Sequence, residues 1–253
     1  FLPLGMFSSN PFMGNVVTGI LIAILVAGVI FGGIKRIGLV AGRIVPIMVL
    51  IYLLGGLGIL IKNYDKLGSI FNLIITDAFT GNAVVGGIVG EVIRQGIRRA
   101  VFSNEAGLGT EVMAHGAAKT KEPVREGLVA MIGPFIDTIL VCSITAFAIL
   151  VSGVWNDPAL NGVSMTAKAF SNELGLLGEF ILFFSVLTFS VTTMFGQSYY
   201  GAKCTGFLFG SRWKVNYNWF YVLSTIFGAT VSISIVINLI DGMYAIMAIP
   251  TMV

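Results

Sequence analysis

The sequence predicts an all-α membrane protein that crosses the lipid bilayer several times. Of its 253 residues, 56% are hydrophobic and only 11% are charged, whereas soluble domains carry about 25% charged residues. Residues 12–34 contain no charged side chain, and neither do residues 44–61. About 20 apolar residues are enough for a helix to cross the hydrocarbon core. The alternation of apolar and polar residues that a lipid-facing barrel requires is absent, so the spans are predicted as helices.

Six apolar segments are candidate spans, a seventh begins near Gly242 and is truncated at Val253, and together they predict a single transmembrane domain. They are residues 12–34, 44–61, 70–90, 127–152, 174–201, 216–240 and 242–253. The chain starts at Phe1 rather than at a methionine, and it stops inside the seventh segment. We therefore expect it to be part of a longer protein.

The basic residues predict the orientation of these spans. Cytoplasmic connections of membrane proteins are enriched in Lys and Arg. Twelve of the fifteen basic residues fall in alternate connections, and only Lys62, Lys66 and Lys168 fall in the opposite ones. The twelve are Lys35, Arg36, Arg43, Arg94, Arg98, Arg99, Lys119, Lys121, Arg125, Lys203, Arg212 and Lys214. The first span is therefore predicted to run from the outside to the inside of the membrane. The net charge of +3 is too small to indicate nucleic acid as a partner.

The third predicted span contains a segment that is poorly suited to a regular helix. Thr80-Gly81-Asn82 is followed shortly by Gly86-Gly87. Glycine costs about 1 kcal/mol relative to alanine in a helix, and Asn competes for backbone hydrogen bonds. One interpretation is a broken helix whose freed backbone groups line a polar cavity, because irregular backbone at this depth must be covered by protein or water. The other is close packing of helices through small residues.

The fifth predicted span carries a polar face. Phe189, Thr192, Thr193 and Gly196 or Gln197 share one side of a helix by the spacing of three and four residues. Uncharged hydroxyl and carbonyl oxygens are suitable ligands for a weakly held monovalent cation. Equally, the hydroxyls could donate to carbonyls of their own helix.

A third polar region lies on the predicted cytoplasmic side, from Arg98 to Thr110. It lacks the Gly-Lys-Ser/Thr of a phosphate loop, and His115 has no second His or Cys near it in the sequence. Asp137, about ten residues into the fourth span, is the best candidate for a carboxylate at membrane depth, where an ionisable group needs a reason. No catalytic constellation emerges, so we expect neither an enzyme nor a cofactor.

Several of these segments resemble one family. Arg99-Ala-Val-Phe-Ser-Asn-Glu-Ala-Gly-Leu-Gly-Thr110, with Ala114-His-Gly-Ala-Ala-Lys-Thr120 after it, resembles the signature of the alanine or glycine:cation (sodium) symporter family of amino acid carriers. The similarity continues in order through Pro123-Val-Arg-Glu-Gly-Leu-Val-Ala130, Phe135-Ile-Asp137-Thr138, Gln197-Ser-Tyr-Tyr-Gly201 and Asp241-Gly-Met-Tyr-Ala-Ile-Met-Ala-Ile-Pro250.

This resemblance implies the LeuT-type fold of inverted five-helix repeats, with the substrate near the bilayer midplane. The chain would supply about helices four to ten, as a C-terminal fragment that lacks the first three helices of the same protein. The segment Thr80–Asn82 would then lie on the discontinuous sixth helix, and the Thr192 face on the eighth. The implied substrate-binding residues are Phe79, Thr80, Gly81, Asn82, Thr193 and Gln197. The Phe189 carbonyl and Thr192 would bind Na⁺ together with the missing first helix.

The implied function is sodium-coupled symport of alanine, glycine or a similar small neutral amino acid across the cell (plasma) membrane. Na⁺ would be the coupling ion. The alternatives are a passive channel, and a transporter of the same fold for another small polar solute. The sequence departs from the family pattern where Gln197 replaces the usual Trp and Thr251 the usual Asn. The first of these departures borders the implied substrate site and leaves the exact amino acid open.

Overall fold

The computed structural model describes residues 11–79, 94, 96–97, 99–100, 103–105 and 109–252, and the regular structure of these residues is helical. The first helices are α1 (Pro11–Ile30), α2 (Gly33–Lys62), α3 (Tyr64–Phe79), α4 (Glu111–His115), α5 (Pro123–Ala130) and α6 (Ile132–Pro134). A π-helix (Phe135–Cys142) leads into α7 (Ser143–Ser152), and a 3-10 helix (Val154–Asn156) follows. The last helices are α8 (Val163–Leu174), α9 (Leu176–Phe209), α10 (Trp213–Gly228) and α11 (Ile233–Met252).

Four helical stretches in this described part are long and apolar enough to cross a membrane. They are Phe12–Ile30, Gly33–Lys62, Pro123–Ser152 and Leu176–Phe209. They overlap the segments 12–34, 44–61, 127–152 and 174–201 that hydropathy predicts. The predicted span 70–90 begins within α3 and continues into residues that lie outside the described ones.

The first connection that the sequence predicts, around residues 35–43, is part of a helix in the structure. The chain turns at Phe31 and Gly32, and α2 then begins at Gly33. Gly33 has a φ of 67°, a conformation that glycine adopts without a steric penalty. α2 continues without a break through the basic residues of positions 35–43 and through Pro46. Hydropathy marks where apolar sequence ends, and Lys and Arg are good helix formers, so the helix outlasts the apolar segment.

The predicted span 216–240 also differs, because the structure divides it. α10 ends at Gly228 and α11 begins at Ile233. In the turn between them, the Thr230 hydroxyl donates to the Phe227 carbonyl at 2.7 Å. Thr hydroxyls bond to nearby backbone carbonyls in this way. Because Ser and Thr have nearly neutral hydropathy, they do not interrupt the apolar run from which the span was predicted. The described part of the segment 242–253 therefore belongs to α11, and Asp241 lies inside the same helix.

The chain forms two compact units. The first comprises the described residues of Phe1–Pro46, Gly107–Lys119 and Leu187–Val253, and the second those of Ile47–Ala106 and Thr120–Val186. In the first unit, α1 packs on α10 around the buried side chains of Val26, Phe195 and Val222. Gly19 permits this approach, because a Cβ there would lie 2.9 Å from the Ala229 Cβ.

The second unit has its own core around Tyr52. The Tyr52 ring stacks on Phe170, with ring centroids 5.4 Å apart, and Ile59 and Phe170 are fully buried beside it. The hydroxyls of Tyr52 and Thr145 lie 2.5 Å apart. Because Thr145 donates its own proton to the Val141 carbonyl at 2.6 Å, Tyr52 is the donor to Thr145. Each polar group in this core is therefore paired.

Gly178→Ala is expected to destabilise the second unit by about 1–3 kcal/mol, as overpacking does. A Cβ at Gly178 would lie 2.1 Å from the Phe170 carbonyl oxygen, which is backbone and cannot rotate away. Gly58→Ala is the control, since nothing lies within 4 Å of a Cβ there. Thermal unfolding of the purified full-length protein should show a lower Tm for Gly178→Ala and an unchanged or higher Tm for the control. Equal Tm values would contradict the close approach at Gly178.

Candidate functional site

The residues predicted for the fifth span lie on α9, which is one uninterrupted helix from Leu176 to Phe209. Phe189 is 57% exposed and Thr193 is also exposed, while Thr192 and Gln197 are half-buried. The opposite side of the same helix packs into the core of the first unit, with Phe195 only 3% and Ser198 1% exposed. Phe189 and Thr193 on the predicted face therefore lie outside this core.

α9 is held in its rotation by a polar contact as well as by the core. The Tyr221 hydroxyl on α10 donates to the Met194 carbonyl on α9 at 3.0 Å. On the same helix, Gly201 leaves room for the Tyr217 side chain, whose hydroxyl would lie 1.8 Å from a Cβ at that position. Together these contacts define which side of α9 packs against α10.

The Thr192 hydroxyl bonds back to its own helix. It donates to the Thr188 carbonyl at 2.8 Å and lies 3.1 Å from the Phe189 carbonyl oxygen. The sequence did not decide whether this hydroxyl bonds to its own helix, and the structure shows that it does. A hydroxyl has one proton and two lone pairs, so an oxygen that donates its proton still offers lone pairs to a cation. The back-bond fixes the direction of those lone pairs and is compatible with a role as a ligand.

The other half of the predicted site falls mostly outside the described residues. Phe79 is the last residue of α3, but its side chain lies outside them, and so do Thr80, Gly81 and Asn82. The broken helix predicted around Thr80 to Val84 stays a prediction. Among the described residues, no three His, Cys, Asp or Glu side chains come together as a metal site.

Sequence reasoning missed a contact between the Ser103–Asn104 segment and the π-helix. The Ser103 hydroxyl donates to the Asp137 carboxylate, and the Thr138 hydroxyl donates to the Asn104 side-chain oxygen at 3.0 Å. The one available signal was Asp137 itself, a carboxylate within a predicted span that required a partner. Its partner is 34 residues away along the chain, a separation that no local pattern reveals.

The backbone turns sharply directly after these two residues. Glu105 has a φ of 51°, the one positive value for a residue other than glycine in the described part of the chain. Such a conformation is uncommon for a residue with a Cβ. Helical geometry covers Ser103 and Asn104 and ends at Glu105, so the left-handed residue terminates this short helical turn.

A second polar cluster joins α2 to the end of α8 on the side predicted as external. Lys62 Nζ lies 3.2 Å from Glu173 Oε2, and the Asn63 amide donates to the same oxygen at 2.8 Å. Lys66 donates to the Asn63 side-chain oxygen at 2.9 Å. Of the basic residues predicted for this side, Lys62 thus contacts α8 directly, and Lys66 contacts Asn63, which in turn bonds to α8.

The long apolar helices of the described part are those of a multi-pass membrane protein. The chain belongs to the sodium:alanine symporter family, whose model matches residues 5–253. The resemblance drawn from the signature around Ser103 is thereby confirmed, and the family is one of transporters.

Curated relatives support the same assignment. The chain is 41% identical over 249 residues to the sodium/alanine symporter AgcS of Methanococcus maripaludis, covering 97% of this chain and 55% of the relative. It is 34% identical over 246 residues to the probable sodium/glutamine symporter GlnT of Bacillus subtilis, covering 96% and 52%. It is 38% identical over 149 residues to the sodium/proton-dependent alanine carrier protein of Bacillus sp. strain PS3, covering 58% and 34%. The chain spans about half the length of the first two relatives.

Proposed function

We propose that the whole protein is a symporter of the plasma membrane that couples entry of Na⁺ to entry of a small neutral amino acid. The family match over residues 5–253 and the similarity to a sodium/alanine symporter support this proposal. The proposed architecture is the LeuT-type fold, in which two repeats rock about a central site. This chain would supply about helices four to ten of that fold.

The observation that carries the cation part of the proposal is the geometry at Thr192. Its hydroxyl proton is committed to backbone carbonyls of α9, so its oxygen can present only lone pairs to a ligand. An oxygen that presents only lone pairs suits a cation. The proposed sodium ligands of this chain are Thr192 and the Phe189 carbonyl, completed by residues of the first helix of the whole protein.

The proposed amino-acid site combines the α9 face with the segment after α3. Backbone amides around Gly81, at the end of a half-helix, would hold the substrate carboxylate, because the N-terminal end of a helix attracts anions. Phe79 would limit the volume of the pocket, with Thr80 and Asn82 beside it. Thr193 and Gln197 would border the side chain of the substrate.

Two alternatives remain for the transported solute and for the mode of transport. The relative named as a probable sodium/glutamine symporter favours a substrate with a polar side chain, and Gln197 on the proposed site face could bond to one. A passive channel would conduct down a gradient and would need no coupling ion. Channels show repeated filter loops or rings of charge, neither of which the sequence contains.

Uptake by the full-length protein in proteoliposomes tests the proposal. Labelled alanine should accumulate above its external concentration when an inward Na⁺ gradient is imposed, and dissipating that gradient should abolish accumulation. Replacing Na⁺ by choline at equal ionic strength is the control. Uptake that stops when the internal and external concentrations are equal, and that does not depend on Na⁺, would favour a channel. Accumulation of glutamine in place of alanine would reassign the substrate.

A further inference from the structure

The contact between Ser103–Asn104 and Asp137–Thr138 is a clamp with two bonds that run in opposite directions. Ser103 donates to Asp137, whereas Thr138 donates to Asn104. Two neighbouring residues of one segment thus pair with two neighbouring residues of the other. A single contact would allow rotation about one bond, but two adjacent contacts hold both the position and the orientation of the Ser103–Asn104 turn.

The clamp lies far from the ends of the helical stretch that carries it. Asp137 and Thr138 are in the π-helix Phe135–Cys142, within the membrane-length stretch Pro123–Ser152. An ionisable side chain within an apolar helical stretch needs a polar partner. Breaking the clamp would therefore leave the Asp137 carboxyl group and the Thr138 hydroxyl poorly paired in the middle of this stretch.

Both clamp residues of this stretch, Asp137 and Thr138, lie in a π-helical segment. A π-helical segment is rare in proteins, and such segments occur frequently at functional sites. Here the segment begins directly after Pro134, a residue that has no backbone proton to donate. The π-helical segment contains the two side chains to which the Ser103–Asn104 turn is attached. This coincidence favours a role for the segment in holding the turn.

We propose that Asp137 and Thr138 are positioning residues that hold the Ser103–Asn104 turn, and that this clamp sets the fraction of transporter competent to bind its ligands. The second part rests on the proposed symport function. The turn follows the proposed substrate segment Thr80–Asn82 along the chain. An apparent dissociation constant rises in inverse proportion to the competent fraction, so loss of the clamp weakens alanine and Na⁺ binding together.

The test uses the full-length protein with Asp137→Ala, which removes both acceptor oxygens, and Asp137→Asn, which keeps one. Thr138→Val removes the second donor, and Thr138→Ser restores it. Asp137→Ala is expected to raise the KM for alanine and the Na⁺ concentration for half-maximal uptake about tenfold each. In both quantities, Asp137→Asn should be closer to the unmodified protein than Asp137→Ala is. Thr138→Ser should likewise be closer to it than Thr138→Val is.

Hydrogen–deuterium exchange supplies a readout that does not depend on transport. The peptide that contains residues 103–105 should exchange faster in Asp137→Ala and in Thr138→Val. Tyr52→Phe is the matched control, because it also removes a side-chain hydrogen bond to the same helical stretch, at Thr145, about two helical turns beyond the clamp. It should lower Tm without changing exchange in residues 103–105 or either apparent affinity.

Each part of the proposal has its own contradicting result. Unchanged exchange in Asp137→Ala would show that the clamp does not hold the turn. Faster exchange with unaltered apparent affinities would reduce the clamp to a structural contact and overturn its role in transport. Absence of Na⁺-dependent uptake in the unmodified protein would instead refute the symport function, while the exchange data would still decide whether Asp137 positions the turn.

Discussion

Thr192→Val in the full-length protein is expected to raise the Na⁺ concentration for half-maximal uptake about ten- to a hundredfold. Valine has nearly the same shape as threonine but lacks the hydroxyl oxygen that we propose as a sodium ligand. Losing a partner of a charged group costs about 1.5–3 kcal/mol, which corresponds to this range. The measurement is the initial rate of alanine uptake into proteoliposomes as a function of Na⁺ concentration.

Two variants separate ligation from helix stability. Thr192→Ser keeps the oxygen and should retain most of the apparent Na⁺ affinity. Thr225→Val is the matched control, because Thr225 on α10 also donates to a carbonyl of its own helix, that of Tyr221, at 3.0 Å. It should leave the Na⁺ dependence unchanged. If Thr192→Val and Thr225→Val gave the same Na⁺ dependence as the unmodified protein, Thr192 would not be a sodium ligand.

Gln197→Trp is expected to change the substrate preference of the full-length protein toward alanine and glycine by about tenfold over serine and larger polar amino acids. The side-chain amide has one acceptor and two donors, which a polar substrate side chain could use and a methyl side chain could not. An indole would instead offer an apolar surface to a methyl side chain and would fill the space that a larger side chain needs, a change that alters preference by about tenfold or more. The measurement is competition of unlabelled amino acids against labelled alanine at fixed Na⁺.

A tryptophan elsewhere on α9 controls for the added bulk. Phe207 is 90% exposed near the end of this helix, so Phe207→Trp adds an indole about 15 Å along the helix axis from Gln197. Its competition profile should match that of the unmodified protein. Should Gln197→Trp also give an unaltered profile, Gln197 would not face the substrate, and the proposed orientation of the α9 face would be wrong.

Apolar runs predicted where helices occur better than where they end. The run of 174–201 predicted much of α9, because a helix that faces lipid must be apolar over its whole crossing. Its end at Phe209 was not predicted, since hydrogen bonding along a helix continues past the last lipid-facing residue. The same reason explains why α2 extends through the basic residues 35–43. The turn between α10 and α11 was missed because Thr and Ser bonds to the backbone leave no clear trace in hydropathy.

The candidate site was predicted unevenly. The three-and-four spacing of Phe189, Thr192 and Thr193 correctly placed these residues in one helix, because side-chain direction in a helix follows from sequence spacing alone. Which carbonyl the Thr192 hydroxyl contacts depends on its rotamer, and the sequence left that open. The roles of Thr80, Gly81 and Asn82 remain predictions that the family resemblance motivates.

The sequence by itself determined the class of protein, its family and the polar residues that need an explanation at membrane depth. Each of these depends on composition or on residues adjacent along the chain. Tertiary structure alone decided that Ser103 and Asn104 pair with Asp137 and Thr138. It also decided that Asn63 and Lys62 converge on Glu173. Contacts between residues distant in sequence form only when helices pack, and packing depends on the shapes of whole surfaces rather than on any local pattern.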